Sequence, residues 1–79
     1  MVVAEVKIKL KKGVADPEGA NTKKTLELLG FEVGDVKSVK VFEIHLGIEN
    51  KEEARQKVEE MCEKLLANPV IHDYSITFS

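Results

Sequence analysis

From Val2 to Leu10 the chain alternates with a period of two. Val2, Ala4, Val6, Ile8 and Leu10 fall on one side, while Glu5, Lys7, Lys9 and Lys11 fall on the other. Successive side chains of a strand point to opposite faces, so this pattern predicts a half-buried strand with one solvated face. An apolar strand face has to be covered, which ties the rest of the chain to a layered fold. The lysines read as a wet sheet face or as edge protection rather than a ligand site. Gly13 breaks the strand.

Asp16-Pro17-Glu18 reads as a helix start. Asp16 can accept from the orphan amides as N-cap, and Pro17 at the first helical position needs no N–H partner. Glu18 suits the positive end of the helix dipole. The predicted helix spans about 17–29 and ends at Gly30, with a stripe of Ala20, Leu26, Leu28 and Leu29. It is a weak helix, since Gly19, Asn21 and Thr22 are poor formers.

The segment from Val36 to Ile48 is β-rich with a slip of phase. Val39 and Val41 have odd parity, whereas Phe42, Ile44, Leu46 and Ile48 have even parity. One regular strand cannot keep both sets on one face, which predicts a bulge near Lys40 to Phe42 or two strands with a very tight connection. The second helix is clearer. Asn50 is its N-cap, Glu53 completes a loose capping box, and Ala54, Val58, Met61, Cys62, Leu65 and Leu66 form its apolar stripe. Asn68-Pro69 stops it. The last strand is predicted from Val70 to Phe78, with Val70, His72, Tyr74, Ile76 and Phe78 sharing a face. The order β-α-β(β)-α-β predicts an α+β, ferredoxin-like-related fold, an antiparallel sheet with two helices on one face.

Size adds a functional constraint. A chain of 79 residues, 43 % apolar and 33 % charged, has room for one core. Such a core contributes roughly 3–5 kcal/mol net, and small chains usually add disulfides, a metal or oligomerisation. A single cysteine excludes an internal disulfide, and Cys62, His45 and His72 are spaced unlike a structural zinc site. Association is what remains. A net charge of -2 argues against nucleic acid, and no apolar run suits a membrane span or signal peptide, so a cytoplasmic location is expected.

Chemistry is sparse. Cys62 sits mid-helix on the apolar stripe with nothing to lower its pKa, and reads as a buried structural cysteine. His45 is expected to face solvent, and His72 to pack or lie at the surface. The glycines match no phosphate loop, and the acidic runs read as a helix start and a solvated helix face. No catalytic, cofactor-binding or metal-binding residue is expected on this chain.

The run Met61-Cys62-Glu63-Lys64-Leu65-Leu66-Ala67-Asn68-Pro69-Val70-Ile71, followed by Asp73-Tyr74, resembles the C-terminal signature of PurS. PurS is the small subunit of phosphoribosylformylglycinamidine (FGAM) synthase. Asp16-Pro17-Glu18-Gly19 is similar to that family's Asp-Pro-Gln-Gly, and Lys40, Glu43 and Ile44 to its Gly-Lys-x-x-Glu-Leu. Val39 stands where the family commonly has glycine, and His72 where an acidic residue is common.

The resemblance covers essentially the whole chain and implies a single PurS-like domain over residues 1–79. It implies an accessory subunit of an ATP-dependent C–N ligase that makes FGAM, glutamate, ADP and phosphate from formylglycinamide ribonucleotide (FGAR), glutamine and ATP. ATP and Mg would be used by the synthetase subunit PurL, and glutamine by the glutaminase subunit PurQ. This subunit would be a homo-oligomer, dimer or tetramer, that bridges the two and helps ammonia pass between them. Two other readings stay open: a dimeric ferredoxin-like module that binds a small regulatory molecule, and an RNA-binding domain.

Overall fold

A computed structural model of the chain describes residues 2–79. The elements are β1 (Val2–Leu10), α1 (Pro17–Leu28), β2 (Val39–Leu46), α2 (Lys51–Met61) and β3 (His72–Phe78), with a π-helical turn at Cys62–Leu66. The strands pair antiparallel in the order β2-β1-β3. The α+β architecture with an antiparallel sheet is therefore the one expected from the sequence.

The alternation in β1 becomes burial. Val2, Ala4, Val6 and Ile8 are buried, and Glu5, Lys7 and Lys9 are exposed. Register places Phe42, Ile44 and Leu46 of β2 on that inner face, and Tyr74, Ile76 and Phe78 of β3 on the same face along the opposite edge of β1. The inner face closes over Ala54, Val58, Cys62 and Ala67 to form the core.

β2 is one regular strand. Its pairing with β1 runs without interruption from Val2↔Leu46 to Lys9↔Val39, so the expected bulge is absent. The phase slip lies in side-chain chemistry, not in the backbone. Val39 and Val41 occupy the outer face at 44 % and 50 % exposure, while Lys40 takes an inner-face position.

Asn50 caps α2 as expected, its Oδ1 accepting from the N–H groups of Glu52 (2.9 Å) and Glu53 (3.2 Å). The helix does not end regularly. The Ala67 N–H donates to the Cys62 carbonyl at 2.9 Å, five residues back. This wider turn rotates the stripe, so Leu65 is turned out to 83 % exposure and Ala67 enters the core. The chain then folds tightly at Asn68-Pro69. Asn68 Oδ1 accepts from the Val70 N–H, and the Asn68 carbonyl accepts from Ile71 and His72. β3 consequently starts at His72, leaving Val70 78 % exposed outside the strand. Asn68→Ala removes the side-chain bond and is expected to cost about 1 kcal/mol, read as a lower denaturant midpoint.

The packing of α1 is the main departure from expectation. Among the described residues α2 and the π turn that continues it cover the inner face, while α1 projects away from the sheet, giving the molecule a long dimension of 48 Å. Its stripe is too thin to hold it down: Leu26 is half-buried, and Leu28 and Leu29 are 80 % and 68 % exposed. Gly30 ends the helix with φ 97°, its N–H donating to Glu27 while the Phe31 N–H donates to Leu26. This is the paired-bond glycine cap that a left-handed residue permits.

Candidate functional site

The root of α1 is fixed by one carboxylate. Asp16 Oδ1 accepts from the Gly19 N–H at 2.9 Å and from the Ser38 hydroxyl at 2.7 Å. Its Oδ2 accepts from the Ser38 N–H at 2.8 Å. Asp16 thus clasps the first turn of α1 to the segment entering β2. Gly19 is buried at this clasp, where a Cβ would run into the Val36 carbonyl oxygen.

The Gly19 amide, then the Ser38 amide and hydroxyl, hold the Asp16 carboxyl below its ordinary pKa of 3.8, with Lys37 adding a smaller pull. A depressed carboxyl stabilises the fold fully above its unfolded pKa and loses that contribution as pH falls through the folded one. The stability difference between the native chain and Asp16→Asn is therefore expected to be constant from neutral pH down to about 5. It should shrink on further acidification, as measured by urea midpoints at each pH. A difference that grows with acid would contradict the clasp.

With α1 turned away, the β2 half of the inner face is open beside α2. Near the α1 root this trough is lined by Ile8, Leu10, Lys40, His72, Glu18 and Ser38. Further along it is lined by Ile44, Met61 and Leu65, with Lys57, Glu60 and Lys64 at the rim. Leu66 borders both parts. Lys64 Nζ donates to Glu60 at 2.6 Å, and Lys40 Nζ lies 5.8 Å from the centre of the Phe42 ring. His72 Nδ1 accepts from the Asn68 N–H at 2.8 Å, so this ring also secures the turn before β3.

The family-signature residues distribute over three places. Asp16, Pro17 and Gly19 form the clasp. Lys40, Leu65 and Leu66 line the trough, with Asn68 and Pro69 forming the turn next to it. Glu43 and Asp73 lie on the outer face: Glu43 Oε1 is 2.7 Å from His45 Nε2, and Asp73 is opposite Lys9. Lys40 and Glu43, three residues apart, are therefore on opposite sides of the sheet.

Cys62 and Tyr74 belong to the core side. Burial pushes the Cys62 thiol up, reinforced by Glu59 and Glu63. Burial also raises Tyr74, helped by Cys62 and the same two glutamates, although the ring is 37 % exposed. Cys62 is thus kept as a thiol, the form that is neither nucleophile nor metal ligand. Among the described residues there is no group of three His, Cys, Asp or Glu able to hold a metal ion. No helix among them is long and apolar enough to cross a membrane.

Sequence reasoning did not find Ser38 or the function of Gly19. Ser38 is 22 residues from Asp16 and carries no local signal. Gly19 looked like a poor helix former, and the reason for it is the Val36 carbonyl.

A small α+β sheet with one helix docked, one projecting and an apolar trough beside them defines a protein organised around contact surfaces. Residues 3–79 match the family described as PurS, phosphoribosylformylglycinamidine (FGAM) synthase. The chain is 56 % identical over 78 residues to the FGAM synthase subunit PurS of Archaeoglobus fulgidus, covering 98 % of each. It matches the crystal structure of Methanocaldococcus jannaschii PurS, one of the subunits of formylglycinamide ribonucleotide amidotransferase in the purine biosynthetic pathway. There the TM-score is 0.91 and the identity 51 %, covering 100 % of this chain and 96 % of that one. A chain of the PurLQS structure from Thermotoga maritima is similar too, with TM-score 0.87 and 28 % identity over 100 % of this chain and 99 % of that one. The chain belongs to the PurS family of FGAM synthase subunits.

Proposed function

We propose that this chain is the accessory subunit of FGAM synthase that carries no catalytic residue or cofactor of its own. It assembles as a homo-oligomer, dimer or tetramer, bridges the glutaminase PurQ and the synthetase PurL, and aids passage of ammonia from one to the other. The observation that carries this reading is the trough, an apolar surface left open by a chain whose one thiol is buried and protonated. The likeness to a chain of PurLQS supports it. In this reading PurL is the subunit that uses ATP and Mg, the assembly is cytoplasmic, and residues 1–79 work as one domain. The signature residues act through shape: Asp16, Pro17 and Gly19 set α1, while Lys40, Leu65, Leu66, Asn68 and Pro69 shape the trough and its turn. Cys62 and Tyr74 support it from the core, and Glu43 and Asp73 present the outer face.

Reconstitution tests it. The chain alone should form no FGAM, and PurL with PurQ should gain glutamine-dependent turnover when it is added. Ammonia-dependent turnover by PurL alone should not need it. Full glutamine-dependent turnover without this chain would sink the reading.

Lys40, Ser38 and His72 at one end of the trough favour a second reading, a small-molecule regulatory site. Thermal shift with FGAR, glutamine and ATP separates the two, since a ligand bound only by the folded state raises the midpoint.

A further inference from the structure

We propose that the outer face of the sheet is where this chain docks on an acidic, partly apolar surface of an enzyme it bridges. The inference rests on the bridging role proposed above and gives that role a surface.

Strand register sets out the face. Lys7 and Lys9 of β1 lie beside Val41 and Val39 of β2. Just past the strand, Lys11 joins Lys9, Lys37 and Val39 around one small hollow next to the Asp16 clasp. The row beyond Lys7 holds Glu5 opposite Glu43, which is bound to His45. The face is therefore basic at the clasp end and acidic at the other.

The first argument is the valines. They are 44 % and 50 % exposed, on the side of the sheet away from the core. Threonine has the same branched Cβ and would suit an exposed strand as well, so strand formation does not require them. Valines set among lysines make a strip that a partner can dry at its centre and pair at its rim.

The second argument is the lysines. Lysines guard open sheet edges, but β1 is the central strand and both its edges are paired, so edge protection does not explain them. Among the described residues Lys7, Lys9 and Lys11 enter no ion pair, although Asp73 is the register partner of Lys9. Their charge is available to a partner.

The third argument is the opposite layer. The side of α2 turned away from the sheet presents Glu52, Glu59 and Glu63, all exposed. A net charge of -2 thus conceals a basic sheet face and an acidic helix face. An acidic partner is repelled by the helix layer and attracted by the sheet, which fixes the side it approaches.

Reconstitution with PurL and PurQ tests the face through the concentration of this chain that gives half-maximal glutamine-dependent turnover. Lys7→Glu combined with Lys9→Glu should raise that concentration about tenfold or more and leave the maximal rate unchanged. Lys7→Arg combined with Lys9→Arg keeps both charges and should behave as the native chain does. Raising sodium chloride from about 0.05 M to about 0.3 M should weaken native binding, while the reversed pair should bind no worse. Far-ultraviolet circular dichroism and sedimentation equilibrium should match the native chain; if the reversed pair misfolds, Lys7→Gln with Lys9→Gln replaces it. A reversed pair that half-saturates at the native concentration overturns the docking face while the accessory role stands. A reversed pair that folds but loses self-association overturns it too, and gives the face to a second copy. A native chain that brings no stimulation removes the bridging role itself.

Discussion

Val58→Asp is expected to leave the chain unfolded, whereas Leu65→Asp, on the same predicted stripe of the second helix, is expected to fold. Val58 is fully buried against Ala4, Val6 and the rest of the core. An unpaired carboxylate there loses its water and finds no partner, a cost of several kcal/mol. That matches or exceeds the roughly 3–5 kcal/mol that a core of this size contributes. Leu65 has been carried outward by the π turn, so its replacement leaves the core untouched. Far-ultraviolet circular dichroism at 25 °C reads the contrast directly. Two unfolded variants would mean that the turn at Cys62–Leu66 is regular α-helix with Leu65 inside, and the core would need redrawing.

The second large effect runs against helix propensity. In an exposed helix Gly→Ala stabilises by about 1 kcal/mol. Gly19→Ala is expected to destabilise by about 1–3 kcal/mol, because the new methyl would meet a backbone carbonyl that cannot swing aside. Relief requires α1 to move from Val36, which stretches the Asp16 bonds to Ser38. Urea midpoints of Gly19→Ala and of Asn21→Ala, an exposed site on the same helix, should move in opposite directions. A gain for both would show that α1 is not held where Asp16 places it.

These variants also mark which parts of the molecule the sequence made legible. Strands, caps and stops were readable because their causes are local: alternation for β1, Asp16-Pro17 and Asn50 for helix starts, Gly30 and Asn68-Pro69 for helix ends. The bulge expected near Lys40 to Phe42 came from treating every valine as a core residue. Val39 and Val41 instead lie on the outer face beside Lys9 and Lys7. Leu65 was misplaced because one wide turn shifts all later side chains, and regular 3.6-residue spacing cannot register it. α1 was expected to pack on the sheet because two helices usually do. Its orientation depends on two hydrogen bonds between Asp16 and Ser38, 22 residues apart, and no local window of sequence registers them. The trough was therefore invisible until the helix was seen to leave it.

The sheet order β2-β1-β3 also governs how the chain comes to be folded. Of the three strands described, β1 precedes the other two in the chain and sits in the middle. During synthesis β1 can zip to β2 early, yet its other edge stays bare until the last strand emerges. That closing seam joins Ala4 to Phe78 and Val3 to the Ser79 amide, nearly the full length of the chain apart. Closing so long a loop is entropically slow, and an open edge meanwhile can recruit a neighbouring nascent chain. Docking of β3 on β1, rather than helix formation, is then the step at which the sheet is completed.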